Sequence, residues 1–337
     1  YKRQGGGVDE PARLDASGAC PKDGTSPPGA PERMLTAVSP TGPSPESMVV
    51  QLQSGERIHY LEWSGGPGVP MMLVHGLTRT AWTWLPIGRR LALHHPVVAP
   101  DLRGHGASDA PLKGYELESL ALDVLTVAAG AGWGEAVQGS PFVVAGHGLG
   151  AMVAAEMARL QPASVAGVAL LDAGWEEMVE ATRMLPDQLV EAMADPPEVL
   201  ASMDTYLADR RAFDPGTWDA DQETAARAQV TERHAGHVGL VTKGSVTRRC
   251  VETMYRYDPL DMLAAVRCPV SLLVASPGTA DDEDERERRL AIDDVQAARA
   301  AAELPAMTVH AYQGVGHDLM RHRPDEVAAE LERLATS

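Results

Sequence analysis

An apolar run, Phe142-Val143-Val144-Ala145, passes through Gly146-His147-Gly148-Leu149-Gly150 into a helical pattern. Glycines at this spacing let a strand and the helix after it approach closely. The central residue then takes the apex of a sharp, strained turn at the carboxyl edge of a sheet. That apex is Gly148, which has no side chain with which to attack a substrate. A second chemical signal is His317, in the short loop Gly314-Val315-Gly316-His317-Asp318. With a carboxylate partner, an imidazole serves as a general base near neutral pH. The other histidines offer less. His94-His95, and His234 with His237, form no H-E-x-x-H or comparable set, so they read as surface residues, and neither a metal nor another cofactor is expected.

Such residues act only if secondary-structure elements bring them together. Short strand runs at 48–52 and 57–63, separated by Ser54-Gly55, suit a hairpin. Apolar runs at 71–75, 96–99, 142–145, 165–171, 270–275 and 307–311 read as buried strands. Helical patterns lie between them at 84–93, 117–129, 149–160, 294–303 and 324–335. This alternation predicts an α/β fold, a mostly parallel eight-stranded sheet flanked by helices on both faces. From Trp175 to Ala265 there are only helical patterns, which predicts a wholly helical cap inserted over the strand ends. Residues 1–46 are rich in Gly, Pro, Ser and charge without apolar periodicity, the composition of a disordered tail. The expected division is therefore a tail at 1–46, a core at 47–174 and 266–337, and a cap at 175–265.

Four landmarks follow one another on this rhythm: Val74-His75-Gly76-Leu77, then Pro100-Asp101-Leu102-Arg103-Gly104-His105-Gly106-Ala107-Ser108, then the Gly148 turn, then Gly314-Val315-Gly316-His317. Together they resemble the α/β-hydrolase superfamily, in its esterase, lactonase and epoxide-hydrolase-like branch with a helical cap, over residues 48–335. The resemblance implies a nucleophile at the apex, usually Ser and sometimes Asp or Cys, and Gly148 departs from it. His317 corresponds to the family's catalytic histidine. Its acid is implied after the strand at 270–275, where Asp281 is nearest and Asp282 next. Some members place it one strand earlier, where Asp172 stands in Leu170-Leu171-Asp172-Ala173-Gly174. Both alternatives remain open from sequence.

By the same resemblance the backbone N–H groups of Leu77 and Leu149 form an oxyanion hole, the latter at a helix start whose dipole assists. His147, Trp82 and Trp175 are candidate substrate contacts, while His75, Arg103 and His105 belong to loops that mostly hold structure. Gly146-x-Gly148-x-x-Ala151, with Asp172 further on, formally fits a dinucleotide fingerprint. That fingerprint normally follows the first strand of its sheet, and several strands precede this one.

Against 29 Lys plus Arg stand 47 Asp plus Glu, a formal net charge of −18. A nucleic-acid partner requires a basic face, which so acidic a chain lacks as a whole. No apolar run approaches the ~20 residues that span a bilayer, so no membrane partner is expected. Cys20, Cys250 and Cys268 are too scattered for a disulfide framework, which points to the cytoplasm. The expectation is an enzyme, a hydrolase of a small or medium apolar carbonyl compound, without bound cofactor. Three alternatives stand beside it: a nucleophile-free lyase or cofactor-free oxygenase, a Ser hydrolase inactivated at position 148, and a non-catalytic receptor. Oligomeric state is open.

Overall fold

The computed structural model describes residues 42–276 and 283–337. Its main sheet is built from β1 (Glu46–Gln51), β2 (Arg57–Trp63), β3 (Met71–Val74), β4 (Val97–Pro100), β5 (Phe142–His147) and β6 (Val165–Leu171). A short hairpin, β7 (Val230–Glu232) and β8 (Val238–Leu240), stands apart from it, and β9 (Val270–Ser276) and β10 (Thr308–Gln313) complete it. The order across the eight strands is β1-β2-β4-β3-β5-β6-β9-β10. β1 and β2 pair antiparallel, as do β2 and β4, and every later neighbour is parallel.

The strand alternation decides which helices cover which face. Met72, Val74 and Val144 point to one side, and Leu73, Val143 and Ala145 to the other. On the first side they meet α2 (Leu117–Gly130) and α3 (Leu149–Leu160) through Leu120, Val124, Met152 and Met157. On the second they meet α1 (Leu85–Leu91) and α12 (Pro324–Leu334) through Leu85, Ile87, Val327 and Leu331. Burial on both faces explains why β3, β4 and β5 are apolar nearly throughout rather than alternating with polar residues. Each parallel strand ends at the same edge, so the turns after β3, β5, β6 and β10 are brought side by side.

Between β6 and β9 the chain forms helices α4 (Met178–Thr182), α5 (Pro186–Ala192), α6 (Met203–Phe213), α7 (Ala220–Ala228), α8 (Gly244–Met254) and α9 (Pro259–Leu263). The expectation of a wholly helical insertion needs one correction, because the β7–β8 hairpin lies inside it. Its strands are three residues each and expose Thr231 and Glu232, too short to raise a period of two above the helical background. Val230 and Val238 bury against Tyr206 and Ala226 in a small separate cluster. The insertion is fastened to the sheet domain by Arg89 to Asp221 at 3.1 Å and by Arg321 donating to the Asp214 carbonyl at 2.9 Å. Beyond β9, α10 (Glu283–Ala301) starts well before the expected 294, since its first two turns carry charge all round; α11 (Leu319–His322) follows β10. Glu46 pairs with Glu62 as the first residue of β1. Among the described residues no helix is long and apolar enough to cross a membrane.

Candidate active site

The turn between β5 and α3 is as tight as its glycines require. A Cβ on Gly146 would lie 2.0 Å from the Gly150 carbonyl oxygen, and one on Gly150 would lie 2.2 Å from that of Val74. Gly148 differs. Its φ of +54° disfavours an L side chain, yet a Cβ there would meet only His317 Nε2 at 3.5 Å and Gly76 Cα at 3.6 Å, ordinary contacts. The apex suits glycine and is spacious, and it faces an imidazole.

His317 occupies the loop between β10 and α11. Its Nδ1 donates to Asp172 Oδ2 at 2.7 Å. Asp172, the residue after β6, is itself held from three directions: its N–H donates to Leu273 O at 2.8 Å, its Oδ1 accepts from Ala275 N–H at 2.8 Å, and Oδ2 accepts from the imidazole Nδ1–H. Neighbouring strand β9 therefore fixes the carboxylate that fixes the ring. The His317 side chain keeps 28% of its surface accessible, so a small molecule can reach it. Asp281 and Asp282 lie outside the described residues.

Leu149 is the first residue of α3, where N–H groups have no intrahelical acceptor. Leu77 follows Gly76, whose Cα stands 3.6 Å from the Gly148 Cβ position. Two backbone segments thus flank the apex. The candidate substrate contacts fall differently. Trp175 is 1% exposed and belongs to the core, and Trp82 is partly buried against Trp84 and its neighbours. His147 is fully buried, its ring centroid 4.2 Å from that of His317, and its Nε2 donates to the His317 carbonyl at 3.1 Å. Burial pushes its imidazole down to about 3, and the adjacent His317 pushes the same way, so His147 is neutral.

Three residues to which the sequence assigned no role lie in the same place. Arg79 Nη2 donates to Asp318 Oδ2 at 2.7 Å. Burial pushes the Asp318 carboxyl up, but the nearby guanidinium groups, Arg79 foremost and Arg321 after it, outweigh it and hold the group below the usual carboxylate range. Glu176 moves the other way: burial raises its carboxyl to about 7, with Arg288 opposing and Asp172 adding to the rise. Each had a weak signal in its position, beside His317, two residues after Leu77, and beside Trp175. The expected scaffold residues behave as scaffold. His75 donates to Gly76 O at 2.8 Å and accepts from Leu102 N–H at 3.0 Å, and Arg103 pairs with Asp123 at 2.5 Å.

A strand-edge turn with glycine spacing and a His–Asp pair on the adjacent loops is the framework of one large family. Residues 71–330 match the model of the alpha/beta hydrolase family, and the chain belongs to it. Among curated relatives, a non-heme chloroperoxidase of Streptomyces lividans is 29% identical over 291 residues, covering 84% of this chain and 97% of the relative. A soluble epoxide hydrolase of Corynebacterium sp. (strain C12) is 38% identical over 71 residues, 21% of this chain and 24% of the relative. Among solved structures, E-2-(acetamidomethylene)succinate hydrolase superposes with a TM-score of 0.71 at 19% identity, over 87% of this chain and 100% of that one. At that identity the likeness bears on the fold alone.

Proposed function

We propose that this chain is a hydrolase of a small or medium apolar carbonyl compound, an ester or lactone, in which His317 activates water directly and no side chain forms a covalent intermediate. The observation that carries this reading is the His317–Asp172 pair, with the opposite ring nitrogen 3.5 Å from the place where an apex side chain would begin. A water in that space gives its proton to His317 Nε2 as its oxygen bonds to the carbonyl carbon. The carbonyl π pair moves onto oxygen, and the N–H groups of Leu77 and Leu149 donate hydrogen bonds that stabilise the developing charge. Asp172 stabilises the imidazolium. The tetrahedral adduct then collapses, the C–O bond to the leaving alcohol breaks, and Nε2 returns the proton to that alcohol. General-base help of this kind contributes about 10²–10⁴ in rate, and each oxyanion donor about 10²–10³. The chain's net charge of −18 favours neutral over anionic substrates. The free thiols of Cys250 and Cys268 suit a reducing compartment and support a cytoplasmic location.

One observation favours a second reading, a Ser hydrolase inactivated at the apex: the space beside Gly148 accommodates a Cβ without steric conflict. Turnover by the chain and by His317→Ala, on aryl esters, thioesters and lactones, tests the proposal. The expected result is slow turnover without a burst, reduced about 10²-fold or more by the substitution. Turnover that survives His317→Ala overturns it, and saturable ligand binding without turnover on any substrate favours a receptor instead.

A further inference from the structure

Behind the His317–Asp172 pair lies a second layer of polar groups. Arg79 Nη2 reaches Asp318 Oδ2 at 2.7 Å, and Asp318 Oδ1 stands 3.9 Å from His147 Nε2. His147 Nε2 in turn donates to the His317 carbonyl at 3.1 Å while its ring lies against that of His317. Sequence neighbours give this layer its meaning. Asp318 directly follows His317, Arg79 stands two residues beyond Leu77, and His147 directly precedes Gly148 and Leu149. The ion pair therefore ties the loop carrying the base to the segment carrying one oxyanion donor, and the His147 bond ties that same loop to the other.

Taking His317 as the base, as argued above, we infer that Arg79, Asp318 and His147 are positioning residues that hold the His317 imidazole in register with the Leu77 and Leu149 N–H groups, a task that no apex side chain shares in this chain. Gly148 carries no side chain that could share this task. The backbone around His317 bears directly on its register, and a misplacement of about 1 Å costs about 10²-fold in rate. Two of the layer's atoms, His147 Nδ1 and Asp318 Oδ1, are buried and have no hydrogen-bond partner among the described residues. Groups so costly to bury unpaired suit a fixed scaffold rather than a mobile contact.

The test uses the full chain with ¹⁵N-labelled histidine, read by NMR through the His317 Nδ1 proton that bonds to Asp172, a signal needing no substrate. Variants are Asp318→Asn, Arg79→Gln and Arg79→Lys, each checked for native circular dichroism and melting. Expected is loss or broadening of that proton in Asp318→Asn and Arg79→Gln, and its retention in Arg79→Lys. Where turnover is measurable, kcat falls about 10²-fold in the first two with little change in KM. Folded Asp318→Asn or Arg79→Gln protein with the proton signal and kcat unchanged overturns the inference. If Asp318→Asn does not fold, the contrast between Arg79→Gln and Arg79→Lys decides. A wild-type chain without turnover whose Nδ1 proton still depends on Arg79 removes the hydrolytic reading and leaves the positioning of His317 standing.

Discussion

His317 Nδ1 lies 2.7 Å from Asp172 Oδ2, and Asp172 makes that bond from a left-handed backbone with φ of +49°. Asp is among the few residues that tolerate this region, because its short side chain bonds locally. Here the local bonds run to Leu273 and Ala275 of the adjacent strand, so the same conformation that costs backbone energy aims the carboxylate. Asp172→Asn keeps both the tolerance and the Ala275 contact while removing the charge that orients the ring. We expect a normal melting temperature and a loss of about 10²–10⁴ in kcat. Asp281→Asn is expected to leave kcat close to that of the parent. A steep loss in Asp281→Asn with none in Asp172→Asn would transfer the acid's role to the loop after β9.

Gly148→Ser tests the apex. The added Cβ makes only van der Waals contacts, and the cost is the side chain's strain at φ +54°, about 1–2 kcal/mol. Its hydroxyl would begin beside His317 Nε2. The expected gain is covalent capture of a fluorophosphonate probe, seen as a mass increment on intact protein, in Gly148→Ser alone. Neither the parent nor Gly148→Ser/His317→Ala should label. Labelling of the parent would mean that another side chain serves as nucleophile.

Buried His105 and His147 make stability depend on acidity. Burial pushes each imidazole down to about 3, with a neighbouring histidine acting in the same direction. Unfolded imidazoles take up protons near pH 6.5, so the unfolded state binds more protons between about 6.5 and 3. Stability from these groups is complete above about pH 6.5 and is lost as the pH falls. The slope is up to about 1.4 kcal/mol per pH unit for each group. Urea unfolding at pH 4, 5, 6 and 7 should show this rise, and it should be shallower in His105→Gln. An unchanged slope in that variant would mean that His105 is protonated while folded.

Glu176 contributes with the opposite sign. Its carboxyl is raised by burial to about 7 against an ordinary value of 4.5, so the folded state keeps a proton that the unfolded state has released. That stabilisation is complete below about pH 4.5 and is lost as the pH rises through about 7. Glu176→Gln, which cannot ionise, should therefore stabilise the protein at pH 8 more than at pH 5. The difference is up to about 1.4 kcal/mol per pH unit, less for the part of the carboxyl that water reaches. Equal effects at both pH values would place the Glu176 carboxyl in bulk solvent.

Much of the molecule was legible before any coordinate. The strand runs, the helix rhythm and the spacing of Gly146, Gly148 and Gly150 are local preferences expressed within about ten residues, and β5 and α3 formed where their patterns lay. That Gly148 sits at the apex was legible too, because the residue at that position is read directly from the chain. The β7–β8 hairpin escaped because three-residue strands carry too few positions to declare a period.

The partnerships were decided elsewhere. Asp172 and His317 are 145 residues apart, and Arg79 and Asp318 are 239 apart. Nothing within the segment at 170–174 marks Asp172 as a partner of His317. Their meeting comes from the strand order β5-β6-β9-β10, which brings the end of β6 beneath the loop after β10, and from Ala275, whose N–H turns the carboxylate toward it. Local sequence thus determined which turns exist and which residue sits at each apex. Only the packed sheet, by setting neighbours along one edge, determined which side chains meet and how burial moves their protons.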